Sequence, residues 1–184
     1  MAIEKYTTEG IILEAYDQGE HDRVYKIFTR EYGLVMCHAR GIRKLESKLR
    51  AHVMPRSVSL VTLVQGKEIW RLVGAEGRIC TSSFIHEVTQ LLARFVRGEG
   101  SHKGLYDRLI AFLSSQIQYD EQKMRLLLYY ILFVDLGYAD ALVIGVKDLK
   151  EYVGMSVEDL YTRIILNYGT VRAHVLTVLE ETQL

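Results

Sequence analysis

The chain has 184 residues, 49% of them hydrophobic, and its 23 basic and 23 acidic side chains leave no net charge at neutral pH. That length suits one ordinary domain or two small ones and buries enough surface to fold without disulfide or metal staples. Zero net charge excludes a uniformly basic nucleic-acid binder, so any such role must rest on local charge asymmetry.

The first half alternates apolar and polar residues and predicts five strands. Residues 10–16 form the first, with Ile11, Leu13 and Ala15 on one face, and Asp17-Gln18-Gly19 turns the chain. Residues 23–29 follow, with Val24 and Phe28 opposed to Tyr25 and Ile27. After Tyr32-Gly33, residues 34–40 oppose Val35, Cys37 and Ala39 to Leu34, Met36 and His38. A long connection over residues 41–56 holds the lone proline, Pro55. Residues 58–64 and 69–73 then read as a hairpin across Gln65-Gly66-Lys67. Five short strands with one excursion between the third and fourth suit a Greek-key barrel of OB type, although an open five-stranded sheet gives a similar pattern.

Near residue 80 the apolar spacing becomes helical, so the expected fold is α+β: an OB-type barrel over 1–80 and an all-α domain over 81–184. Phe84, Ile85, Val88, Leu91, Leu92, Phe95 and Val96 share one helical face, with Ser82 or Ser83 as cap and Gly98 as stop. Leu105, Leu109, Phe112, Leu113 and Ile117 mark a second helix. A third runs over 121–136 from Asp120 to Gly137 and is apolar nearly all round, as expected of a central helix. Ser156 and Asp159 resemble a capping box ahead of Val157, Leu160, Ile164, Ile165 and Tyr168, with Gly169 closing that helix. Val171, Val175, Val178 and Leu179 give a last short one.

Charge is uneven within this neutral chain. Residues 1–80 carry 13 basic and 10 acidic side chains, a net of +3, balanced by −3 in the remainder. The segment 40–56 alone holds Arg40, Arg43, Lys44, Lys48, Arg50 and Arg56 against Glu46. Such a segment can neutralise phosphates and release their counterions, and a merely solvated loop is the competing reading. Aromatic side chains at Tyr16, Tyr25, Phe28, Tyr32 and Trp70 offer stacking surfaces if exposed, with Phe28 expected in the core.

Cys37 and Cys80 have no C-x-x-C partner, and the six histidines lack metal-ligand spacing, so no metal or cofactor is expected. No phosphate-binding glycine loop or nucleophile elbow is present. Catalytic readings of His21, Asp22 or Glu87 are weak because adjacency alone does not orient a base, and no enzyme activity is expected. The start lacks the apolar stretch of a signal peptide, and the longest apolar run, over 126–134, is 9 residues against the roughly 20 that span a bilayer. A cytoplasmic protein without membrane contact is expected.

The segments 8–13, 19–23, 28–33 and 39–55, with Leu136-Gly137-Tyr138, together resemble the RecO family. Thr8-Glu9-Gly10-Ile11-Ile12-Leu13 is similar to its opening strand, Gly19-Glu20-His21-Asp22-Arg23 to its "GExDR" turn, and Phe28 to Gly33 to its "FTxxxG" turn. Ala39 to Lys44, then Ser47-Lys48-Leu49 and Pro55, resembles its basic "ARGxRK…SKL…P" segment. Leu136-Gly137-Tyr138 resembles the "LGY" of its helical domain, and Leu166 to Gly169 with Arg172 resembles its C-terminal helix more faintly. The resemblance implies a recombinational repair mediator that binds single- and double-stranded DNA, anneals complementary strands and assists RecA loading. It implies RecR and the acidic tail of single-strand binding protein as partners, with RecA engaged indirectly. Arg40, Arg43, Lys44, Lys48 and Arg50 carry over as DNA-binding residues, and Lys123 and Arg125 as partner-binding residues. Arg23 matches the "DR" arginine, with a structural salt bridge to Asp22 or Glu20 as its alternative. Many family members carry a cysteine-rich zinc insertion after "LGY"; residues 139–150 contain no cysteine, which reads as a short form lacking it. The alternative function is an OB-fold protein adaptor without DNA binding.

Overall fold

A computed structural model describes residues 4–78, 82–115 and 120–182. Five strands, β1 (Tyr6–Gln18), β2 (Asp22–Thr29), β3 (Gly33–Ala39), β4 (Ser57–Val64) and β5 (Trp70–Arg78), close into a barrel in the order β1-β2-β3-β5-β4. All pairings are antiparallel except β3 with β5. The closed Greek key therefore decides between the two architectures that the strand pattern allowed, in favour of the OB-type barrel. Its interior is filled by Ile12, Tyr25, Ile27, Val35, Cys37 and Leu63 among others, each at most 1% exposed.

One strand departs from simple alternation. The pairing of β1 with β2 shifts register between Ile12 and Glu14, so Leu13 is the extra residue of a β-bulge. Beyond the bulge the phase reverses, and Ala15 packs against the barrel core with Ile12 instead of sharing a face with Ile11 and Leu13. The face pattern expected for β1 thus holds only up to the bulge.

The FTxxxG segment is a self-contained turn. Thr29 Oγ1 accepts from the Tyr32 amide at 3.1 Å and donates to the Gly33 carbonyl at 2.9 Å. Gly33 has φ +65°, and a Cβ there would collide with the Gly100 carbonyl, so only glycine fits.

Helix α1 (Ile85–Phe95) packs on β1, and its last turn and the chain after it are tied to the barrel at several points. Lys26 Nζ donates to the Ala93 carbonyl at 3.1 Å, the Leu34 amide to Gly98 O at 3.0 Å, and Trp70 Nε1 to Glu99 Oε1 at 3.1 Å. The chain divides into two compact units, Met1–Lys103 and Gly104–Leu184, so α1 belongs with the barrel. Phe84, not a serine, takes the N-cap position of α1, while Ser82 Oγ accepts from the Phe84 amide.

The second unit is helical: α2 (Lys103–Ser114), α3 (Glu121–Asp135), α4 (Leu149–Gly154), α5 (Val157–Leu166) and α6 (Tyr168–Glu181), with a 3₁₀ turn over Ala141–Ile144. Ile117, expected on the second helix, lies outside the described residues. Helix α3 is capped by Asp120, whose side chain accepts from the Lys123 amide, and nine of its residues are buried, as a central helix requires. It ends in a Schellman motif: Tyr138 N donates to Phe133 O at 2.7 Å and Gly137 N to Val134 O at 3.1 Å, with Gly137 at φ +80°. The Tyr138 and Phe133 rings, 6.3 Å apart, supply the apolar contact across it, which is the physical content of the LGY signature. The capping box of Ser156 and Asp159 forms. Helix α5 stops at Leu166 with Asn167 as its cap, however, and Gly169 lies in the first turn of α6 instead of closing α5.

A buried ion pair crosses this unit. Arg108 on α2 donates to both Asp135 oxygens, at 2.9 and 3.1 Å, and its guanidinium lies 4.5 Å from the centre of the Tyr152 ring. Among the described residues no helix is long and apolar enough to cross a membrane.

Candidate nucleic-acid interface

The connection over residues 40–56 is folded onto the barrel. Ile42 and Val53, each 1% exposed, enter the barrel core, and Leu49 packs against it. Residues Lys48–His52 form a 3₁₀ helix against β5, where His52 Nδ1 accepts from the Gly77 amide at 3.2 Å. A Cβ on Gly77 would sit 3.1 Å from the His52 backbone, so glycine permits this close approach.

The start of the segment is latched to the β1–β2 turn. Asp22 Oδ1 accepts from the Gly41 amide at 2.7 Å, and the Arg43 amide donates to His21 O at 2.9 Å. Arg43 Nη1 reaches Gly19 O at 3.0 Å and Asp17 Oδ2 at 3.4 Å. The two motifs GExDR and ARGxRK, distant in sequence, are therefore one structural unit. The Gly41 amide, with His38 and Arg40 nearby, holds the Asp22 carboxyl below the usual carboxylate range. Arg23 pairs with Asp17 at 2.6 Å, so its partner is neither Asp22 nor Glu20, and this contact holds the Asp17 carboxyl low as well. His38 Nε2 lies 3.0 Å from Asp22 Oδ2, so Asp22 faces the latch and not a nucleophile.

The five basic residues expected on this surface differ in role. Arg43 is half-buried and committed to the latch, whereas Arg40, Lys44, Lys48 and Arg50 are exposed. Among the described residues Lys44, Lys48 and Arg50 form no ion pair. Four of the five singled-out aromatics are withdrawn from solvent to some degree: Tyr25 and Phe28 are buried, Tyr32 is half-buried, and Trp70 is 6% exposed and packs against Tyr6 and Tyr32. Tyr16 alone of the five is open, at 51% exposure, opposite Val24 on the next strand.

Cys37 is buried and free, and burial pushes its thiol up to about 12, which removes it as a nucleophile at neutral pH. Cys80 lies outside the described residues. Among the described residues no group of three His, Cys, Asp or Glu side chains could hold a metal ion.

In the helical unit, Lys123 and Arg125 sit on the first turns of α3, and Arg125 pairs with Glu121 at 3.2 Å. An open groove of about 480 Å³ lies at the other end of that helix, lined by Val134, Ala139, Leu142 and Leu149 with Asp140, Lys147 and Asp148. Val134 is about 16 Å along the axis from Lys123, so these basic residues and the groove are separate features.

The family described as recombination protein O N-terminal matches residues 1–78, the whole barrel with its latch and basic segment. The N-terminal barrel is therefore similar to the N-terminal domain of the RecO family. DNA repair protein RecO of Syntrophotalea carbinolica is 28% identical over 153 residues, 77% of this chain and 59% of that one. RecO of Anaeromyxobacter dehalogenans is 34% identical over 58% of this chain and 46% of its own. RecO of Halalkalibacterium halodurans is 27% identical over 56% of this chain and 44% of its own.

Proposed function

We propose that this chain serves recombinational DNA repair by binding single- and double-stranded DNA through the basic segment on its barrel. The observation that carries the reading is a latched basic segment in a chain of zero net charge, presenting Arg40, Lys44, Lys48 and Arg50 to solvent. Side chains of this kind contact phosphates, so sequence preference is slight. Screening two backbones at once lowers the repulsion between complementary strands, so annealing without ATP follows. Loading of RecA with the help of RecR, and docking of the acidic tail of single-strand binding protein near Lys123 and Arg125, complete the proposed role.

The test is a titration of labelled single strands across salt concentrations. Four neutralised phosphates give a slope of log K against log salt near about −3. Replacing Lys44, Lys48 and Arg50 with alanine flattens it towards about −1 and slows annealing, while Arg43 is left in place to keep the latch. Unchanged binding and annealing by a folded triple variant rules out this surface. For the tail, anisotropy of a labelled acidic peptide should weaken on Lys123→Ala with Arg125→Ala, and equal affinity removes that contact.

A further inference from the structure

We propose that Leu45 is a wedge that inserts at an open base step, so that the basic segment engages junctions between single and double strands in preference to intact duplex. This rests on the DNA-binding reading above. Leu45 is 90% exposed, the highest value among the exposed large apolar side chains of the described residues. It stands between two anchors, Ile42 in the barrel core and Leu49 packed against it.

The turn that carries Leu45 is held on both sides. Lys44 N donates to Gly41 O at 3.1 Å and Ser47 N to Lys44 O at 3.1 Å. Gly41 itself is fixed by Asp22, and Arg43 by His21 and Gly19. A side chain presented from such a base loses little backbone freedom on insertion, which lowers the cost of binding. Its flanks are cationic, with Arg40, Lys44, Lys48 and Arg50 exposed and Glu46 the one acid among them.

An apolar side chain between base steps unstacks them, and the cost is least where the step is already unpaired. Lysine and arginine on either side hold the flanking phosphates and supply no base preference. Leucine therefore adds selectivity for the form of the DNA and not for its sequence. Charge complementarity favours nucleic acid as the occupant, and an anionic lipid surface is the competing class.

The experiment uses the full chain with a hairpin that ends in a single-stranded tail and carries 2-aminopurine at the junction, beside a blunt duplex labelled internally. Wild type should raise the fluorescence at the junction and bind that hairpin on the order of tenfold tighter than the blunt duplex, the scale expected for burying one leucine. Leu45→Ala should abolish the rise and the preference while leaving the salt slope unchanged, and Leu45→Met should retain both. Circular dichroism should show Leu45→Ala folded, since the side chain is exposed. If Leu45→Ala matches wild type on both DNAs, the wedge is wrong and the phosphate-binding reading stands. If wild type binds neither DNA, that reading fails and the wedge with it. Binding of wild type to phosphatidylglycerol vesicles that Leu45→Ala loses, without a DNA effect, overturns the proposal in favour of a lipid surface.

Discussion

Arg56 is the only non-glycine residue with positive φ among the described residues, at 65°, and its amide donates to Ile12 O at 2.8 Å where the basic segment enters β4. A left-handed backbone costs a side-chain-bearing residue about 1–2 kcal/mol, and glycine gives back part of that relief through its freer unfolded chain. Arg56→Gly should therefore leave the protein between unchanged and about 1 kcal/mol more stable, read from the urea midpoint. Asp22 has the opposite character, since its carboxylate caps the Gly41 amide and its pKa is lowered by folding. A lowered folded pKa contributes stability that is complete above the unfolded aspartate value of about 3.9 and is lost as pH falls through the folded value. Asp22→Ala should lower the thermal midpoint at pH 6, and the gap to wild type should narrow as pH falls below about 4. A gap that stays constant with pH contradicts this assignment.

The helices of the second unit depend on a polar contact as well as on apolar faces. Arg108 and Asp135 are 8% and 10% exposed and share two hydrogen bonds. Desolvation of the carboxylate works against the attraction of Arg108, so the net contribution of such a pair is small, but either partner alone is a buried charge without compensation. Arg108→Leu should cost about 3–5 kcal/mol, and adding Asp135→Leu should recover most of it, as measured in a double-mutant cycle by chemical denaturation. Additive costs would mean the two side chains act independently.

For the whole chain, the ties from the region of α1 back to the barrel suggest where it can be cut. A fragment of residues 1–80 lacks α1 and the partners of Lys26, Leu34 and Trp70. A fragment of residues 1–103 keeps them all. The longer fragment should unfold cooperatively with a β-rich circular dichroism spectrum, while the shorter one should unfold at markedly lower urea. Equal midpoints would place the barrel's independence at the end of β5.

Local pattern was enough for much of this molecule. Period-two alternation located β2 and β3 and sorted their residues into two faces, the apolar run and its Asp120 and Gly137 ends located α3, and the charge of residues 40–56 located the candidate surface. These features are legible because backbone periodicity and turn chemistry are set by near neighbours. The bulge at Leu13 and the Asp17 partner of Arg23 were not legible because both follow from the register of β1 against β2, and the short α4 was not because its Tyr152 is buried against Tyr130 and Arg108, which are distant along the chain. The same holds for the basic segment: the sequence counted its charges, but only the tertiary structure separated latched Arg43 from exposed Lys44 and turned Leu45 outward. Which side of a turn faces the core is settled by where its anchors find room, and for Ile42 and Leu49 that room is made by the closed barrel.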